Sequence, residues 1–220
     1  MSNVRKTFDA ELDRLKETLL EMVKLSQNAI DDALRALKET DLEKAQAIID
    51  NDIQINNYEE SINNQVVKIL AQQQPVASDL RRTIAVLKIS NDVERIGDLA
   101  VNIAKSVLII GNEELIKPIE DIPKMAKIAQ GMLSDAIKAF YEEDVILAGD
   151  LAKVDDQVDD MYGKLIKELL ELMTKYPNSL SQITQLCFIC RYIERVGDHA
   201  TNISENIIYM VKGKMFDLNA

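Results

Sequence analysis

The stretch Ile89-Ser-Asn-Asp-Val93-Glu94-Arg95-Ile96-Gly97-Asp98-Leu99-Ala100-Val101-Asn102-Ile103 carries two messages at once. Its apolar residues Ile89, Val93, Ile96, Ala100 and Ile103 recur in steps of four and three and continue to Val107 and Ile110. They form one stripe along an amphipathic helix. Its polar residues return one hundred positions later in Glu194-Arg195-Val196-Gly197-Asp198-His199-Ala200-Thr201-Asn202-Ile203, with seven of the ten residues from Glu94 to Ile103 unchanged. The chain is an internal duplication. Packing alone tolerates exchange of one apolar residue for another, so it keeps a pattern and loses identities. Here the identities kept are Glu, Arg, Gly, Asp and Asn, and something other than the core requires them.

Outward from this stretch the same periodicity continues. The first segment reads Phe8, Leu12, Leu15, Leu19, Met22, then Ala29, Ala33 and Leu37. Pro75, Pro118, Pro123 and Pro177 all fall where the periodicity breaks, as helix ends require. Thr40-Asp-Leu-Glu43 has the form of a capping box, and Ser179-Leu-Ser-Gln182 has it again ahead of the last segment. The spacing predicts six helices, over 4–38, 41–73, 78–110, 123–142, 144–175 and 180–212. The expected fold is all-α, two tandem and sequence-related three-helix bundles over 1–111 and 123–220, joined by a linker over 112–122. Asp52-Ile-Gln-Ile-Asn56 in the second segment reappears as Asp155-Asp-Gln-Val-Asp159, 103 residues on. The change of offset from 103 to 100 places a three-residue difference in the turn before the third helix.

Composition narrows the function classes. Seven Gly, four Pro, no Trp and 47% hydrophobic residues describe a helical chain with ample material for a core. A formal net charge of −11 argues against nucleic-acid binding, which needs basic surface to neutralise phosphates, and against anionic membrane surfaces. Metal cations and basic protein surfaces are the natural partners. The N-terminal residues run directly into an amphipathic helix without an apolar signal segment. No apolar run approaches the roughly 20 residues that span a bilayer. With two cysteines and no disulfide framework, the expected location is the cytoplasm, without membrane insertion.

Residues four apart on a helix lie on one face, so Glu94, Asp98 and Asn102 form an oxygen-bearing row, repeated by Glu194, Asp198 and Asn202. On a helical wheel Glu94 lies at the edge of the apolar arc, and Asp98 and Asn102 turn onto the polar face. Asp52 with Asn56, and Asp155 with Asp159, lie on the flank of their own helices. Two neighbouring helices bring two such pairs to one groove, where like charges repel and a cation relieves the repulsion. Gly97 and Gly197 sit beside the row, where a side chain would crowd an ion or a neighbouring helix. Oxygen donors suit Mg, Ca or Mn, and carboxylates also bridge multinuclear iron or zinc. One such pair alone reads as a solvated face, with Arg95 and Arg195 in surface salt bridges. Four pairs in repeated positions favour metal.

The remaining chemistry-bearing residues carry less. Cys187-Phe-Ile-Cys190 lies on an apolar helix face without a second pair to complete a zinc site, so both thiols are expected in the core. His199 is the single histidine and is expected on the surface. One histidine excludes the paired Glu-x-x-His ligands of ferritin-like di-iron proteins and leaves no Ser/His/Asp set.

The repeated Glu-Arg-Ile/Val-Gly-Asp-x-Ala-x-Asn-Ile helices, with the acidic pairs on the preceding helices and the ending Asn206-Ile-Ile-Tyr-Met-Val-Lys-Gly213, resemble the PhoU family of phosphate-specific transport system accessory proteins along the whole chain. The resemblance implies a cytosolic, usually dimeric, non-enzymatic regulator that dampens the phosphate-starvation response. It also implies action with the Pst transporter, notably its ATPase, and with a PhoR-type sensor histidine kinase. Family members carry multinuclear iron or zinc on Glu/Asp-x-x-x-Asp pairs, which here are Asp155 with Asp159, Glu194 with Asp198, Asp52 with Asn56, and Glu94 with Asp98. Asn56 departs from the pattern, since an amide coordinates more weakly than a carboxylate, and the first-half site is expected to be the weaker. Two other readings stand beside this one: a carboxylate-bridged metalloenzyme, oxidase or hydrolase, and a structural dimer whose acids bind nothing.

Overall fold

The computed structural model describes residues 3–117 and 119–218, and is helical nearly throughout. The first half contains α1 (Asn3–Glu39), α2 (Leu42–Asn51), α3 (Ile53–Gln73) and α4 (Ala77–Ile110). The second contains α5 (Asp121–Glu142), α6 (Val145–Lys175), a 3-10 turn (Pro177–Ser179) and α7 (Leu180–Lys212). Five of the six expected helices are present with ends within two residues of those read from the sequence. The sixth, expected as one helix over 41–73, is broken at Asp52 into α2 and α3. Asp52 keeps right-handed helical angles, but its carbonyl accepts from both Ile55 N at 2.9 Å and Asn56 N at 3.3 Å, a local tightening that interrupts the regular ladder. The break expected at Pro118 lies outside the described residues. Pro123 is the third residue of α5, in the first turn, where no hydrogen-bonded N–H is lost.

The turns that open α2 and α6 are copies of each other. Thr40 (φ 51°) and Glu143 (φ 53°) are left-handed and end the preceding helices. Asp41 and Asp144 follow in extended conformation and cap the next helices, Asp41 accepting from Lys44 N and Asp144 from Ile146 N and Leu147 N. The cap is thus Asp41 and not the expected Thr40. A left-handed residue cannot turn its side chain back onto the helix that follows, whereas the extended residue after it can. Ser179 likewise makes no side-chain cap. Gln182 ties the inter-half connection instead, accepting from Ile116 N at 2.8 Å and donating to Glu114 O at 3.1 Å.

Within each half three helical rods enclose a stripe of buried side chains, such as Leu15, Leu19 and Met22 of α1 and Met125, Met132 and Leu133 of α5. The gap in the α1 stripe between Met22 and Ala29 is filled by Ser26, buried, with its hydroxyl on Met22 O and on Val93 O of α4. The two halves then pack on each other, chiefly along α4 and α7. That second contact explains why both helices are buried around most of their circumference, α4 at Ala85 and Leu99 as well as along Ile89–Val93–Ile96. Equivalent helices meet across the seam. Gln27 donates to Ser134 Oγ at 2.8 Å, and Gln130 donates to Asp31 Oδ1 at 2.9 Å. A shift of 103 residues exchanges these two bonds, so the halves are related by an approximate two-fold axis.

Candidate functional site

The acidic pairs converge where the second rod of each half crosses the third: α2–α3 on α4, and α6 on α7. Each crossing is tight at a glycine. A Cβ on Gly97 would lie 2.8 Å from Ile55 Cδ1, and one on Gly197 would lie 2.8 Å from Asp155 Oδ1. A side chain at either position would force a shift, of the flexible Ile55 methyl end beside Gly97 and of the Asp155 carboxylate beside Gly197, so both glycines lie where the helices approach closely, as the sequence suggested.

In the second half, Asp155 and Glu194 lie at the bottom of the groove, 6% and 7% exposed, with Asp198 half-buried and Asp159 exposed at its rim. The wheel set Glu194 at the edge of the apolar arc and Asp155 on the flank of its helix, and the structure buries both. The wheel places residues on one helix only, and α6 covers the edge of α7 on which Glu194 stands. Burial pushes Asp155 up to about 6, helped by Asp159 and Asp198 and opposed by the Thr201 hydroxyl that faces it. Burial likewise pushes Glu194 up to about 7, with Asp198, Asp159 and Asp155 adding to the rise and Arg191 opposing it. The four carboxylates therefore act on one another as one group. Asp155 Oδ1, Glu194 Oε2 and Thr201 Oγ1 are buried without a hydrogen-bond partner. Arg191 holds the other oxygen of Glu194 and lies 5.9 Å over the Tyr162 ring.

In the first half, burial raises Asp52, with the Asn56 amide opposing and Asp98 adding. Burial also raises Glu94, with Asp98, Glu59 and Asp52 adding and Arg95 opposing. Asn56 Nδ2 donates to Asp52 Oδ2 at 3.2 Å, so its amide serves Asp52 as a donor. Arg95 bridges the pair, 2.9 Å from Asp98 Oδ2 and 3.2 Å from Glu94 Oε2, the latter without hydrogen-bond geometry. Beside Asp52, a cavity of about 220 Å³ opens between α1, the α2–α3 break and α4, lined by Ala29, Ile48, Gly97 and Val101 among others. One substitution within the repeat lies on its wall. Met132 reaches to 3.7 Å from the Cβ position of Gly197, and Ala29 is the residue equivalent to Met132.

Not every expected ligand joins these groups. Asn202 turns its amide to Asp92 Oδ1 at 3.4 Å, across the α4–α7 seam and away from Asp198. Asn102 is half-buried on the next turn of α4 beyond Asp98. His199, expected on the surface, is on the same seam with its side chain 13% exposed and Nδ1 3.0 Å from Asp92 Oδ1. A one-bundle wheel left that face to solvent, and the packing of the halves covers it. Cys190 is in the core as expected, its thiol pushed up to about 12 by burial, and Cys187 is half-buried. Four participants escaped the sequence reading: Glu59, Thr201, Tyr162 and Arg191. The signal for Glu59 was legible, since it interrupts the apolar series Ile55, Ile62, Val66, Ile69 at a step of four.

Among the described residues no three His, Cys, Asp or Glu side chains close on a common point. Glu194 Oε2, buried on a carboxylate and without a donor, and Asp155 Oδ1, which faces only the Thr201 hydroxyl without hydrogen-bond geometry, are nevertheless the kind of oxygens that a cation takes. In that sense the residues fit a metal.

The comparisons with known proteins agree with this layout. The family described as PhoU domain matches twice, over residues 19–107 and 122–207. The phosphate-specific transport system accessory protein PhoU homolog of Clostridium acetobutylicum is 37% identical over 216 residues, covering 98% of this chain and 99% of that one. The homolog of the same description from Streptococcus pneumoniae is 35% identical, covering 98% of this chain and 100% of that one. Among solved structures, the phosphate transport system regulatory protein PhoU from Streptococcus pneumoniae superposes with a TM-score of 0.89 at 34% identity, covering 96% of this chain and 99% of that one. PhoU from Pseudomonas aeruginosa gives a TM-score of 0.88 at 36% identity, covering 94% of this chain and 100% of that one.

Proposed function

This chain belongs to the PhoU family, and from that premise we propose that it is a non-catalytic accessory regulator of a phosphate-specific transport system. The observation that carries the proposal is the match along nearly the whole chain to a solved phosphate transport system regulatory protein. The chain dampens the phosphate-starvation response when phosphate is plentiful, and it does so by docking as a homodimer on the transporter ATPase and on a PhoR-type sensor kinase at the cytoplasmic face. No helix among the described residues is long and apolar enough to cross a membrane, which is compatible with action from that face.

The acidic groups are the metal sites of this regulator. Asp155, Asp159, Glu194 and Asp198 would hold the second-half cation, and Asp52, Glu94 and Asp98, with Asn56 as the weak member, the first. A bound ion, iron or zinc, with Mg, Mn or Ca as the alternatives, would neutralise carboxylates that burial otherwise forces toward protonation and would lock α6 to α7. Gly97 and Gly197 hold the helices close enough for one ion to reach both.

Affinity capture of the tagged chain from phosphate-replete and phosphate-starved cells tests the regulatory role. Recovery of the transporter ATPase or the sensor kinase, with a starvation reporter that stays on when the chain is deleted, is the expected result. A silent reporter and neither partner recovered would remove the proposal. Turnover of phosphomonoesters or ferrous iron by metal-loaded protein would favour the carboxylate-bridged enzyme instead.

A further inference from the structure

The first-half acidic group differs from its copy at a corner that neither acid-x-x-x-acid pair includes. The buried stripe of α3 runs Ile55, Glu59, Ile62, Val66, Ile69, and that of α6 runs Val158, Tyr162, Leu165, Leu169 in the same register. Glu59 thus occupies a core-facing position, half-buried between Ile55 and Ile62, where the second half has a phenol ring. The two rods run antiparallel, with Ile55 against Gly97. One turn further along α3 therefore lies one turn back along α4, which sets Glu59 opposite Val93 and Glu94.

The partner position changes with it. In the second half this corner is closed by Arg191, which binds Glu194 and covers Tyr162. In the first half the residue equivalent to Arg191 is Asn91 and the residue equivalent to Tyr162 is Glu59. A cation and a neutral ring have been exchanged for an amide and a carboxylate. Arg95 engages Glu94 and Asp98, and Glu59 has no ion-pair partner among the described residues. Two facing, partly buried carboxylates destabilise a helix contact unless a cation joins them.

We propose that Glu59 is the fourth carboxylate of the first-half group, so that Asp52, Glu59, Glu94 and Asp98 take the same class of multivalent cation as Asp155, Asp159, Glu194 and Asp198. The inference rests on the reading that both acidic groups are metal sites. The carboxylate missing at Asn56 is relocated, not lost, and the centre of the first site moves about one helical turn (~5.4 Å) along α3 toward Glu94. The weaker first site expected from Asn56 alone no longer follows, and the two halves have equal numbers of carboxylates.

The test uses the full chain, stripped with chelator and titrated with zinc chloride by calorimetry, with bound zinc counted by elemental analysis. Asp155→Asn with Asp198→Asn silences the second half. In that background zinc binding by the first half is expected to persist, and to weaken at least tenfold in Glu59→Gln as it does in Glu94→Gln. The metal-free Glu59→Gln chain is expected to melt no lower than its parent, because the change removes a repulsion. Unchanged zinc affinity in Glu59→Gln, beside a loss in Glu94→Gln, overturns the assignment of Glu59 and leaves the metal reading standing. A lower melting temperature of metal-free Glu59→Gln marks a structural role and also overturns it. No zinc on either half of the unmutated chain overturns both.

Discussion

Gly197 and Asp155 meet so closely that a Cβ on the glycine would lie 2.8 Å from the carboxylate Oδ1. The same position in the first half meets only the side chain of Ile55. Gly197→Ala is therefore expected to displace Asp155 and to weaken zinc binding by the second half at least tenfold. The roughly 1 kcal/mol that Ala gains over Gly in a helix offsets much of the packing cost, so the melting temperature should hardly move. Gly97→Ala, which presses on a flexible methyl end, should leave first-half binding within about twofold. Titration calorimetry on both variants checks the contrast, and equal losses would refute it.

Stability should depend on pH through Asp155 and Glu194. Both have folded-state values above their ordinary ones, about 6 and about 7 against 3.8 and 4.5. Between about pH 4 and pH 7 the folded chain binds more protons than the unfolded one, and its stability falls as pH rises through that window. Metal-free protein is expected to lose ~5 °C in melting temperature between pH 5 and pH 7.5. The double variant Asp155→Asn/Glu194→Gln should lose most of this slope. Parallel profiles would assign the dependence elsewhere.

The Asp92–His199 contact crosses the seam between the halves with both side chains mostly buried, and Asn202 shares the same carboxylate. Asp92→Ala leaves the imidazole and the amide without their acceptor and is expected to cost about 1–3 kcal/mol in denaturant unfolding. The two-fold related positions are occupied by Tyr192 and Leu99. Asp92→Tyr combined with His199→Leu rebuilds that apolar pair and should recover most of the loss. A double variant as unstable as the sum of its parts would show that the seam does not accept the exchange.

Ala29, on the wall of the cavity beside Asp52, stands where the second half has Met132. Ala29→Met is expected to fill part of the ~220 Å³ and raise stability by about 1 kcal/mol. It should also straighten the α2–α3 break, which amide hydrogen exchange at Asp52–Asn56 would register as slower exchange. Destabilisation would mean that the break is fixed by Asp52 itself and not by the space behind it.

The sequence alone determined the helices, their order and the duplication, because local periodicity and proline placement act within a single rod. It also brought the acid pairs to one groove per half, because residues four apart share a helix face whatever packs on it. The tertiary structure decided the rest. Whether Glu194 and Asp155 face water or lie beneath a neighbour depends on which helix covers them, and α6 and α7 cover each other. His199 and Asn202 belong to the seam between the halves because α4 and α7 each bury a second face there, which a one-stripe reading assigns to solvent. The break at Asp52, beside the cavity that Ala29 lines, interrupts a chain that local propensity would continue as one helix. Glu59 stood in the apolar register all along, but only the antiparallel crossing of α3 and α4 sets it against Glu94.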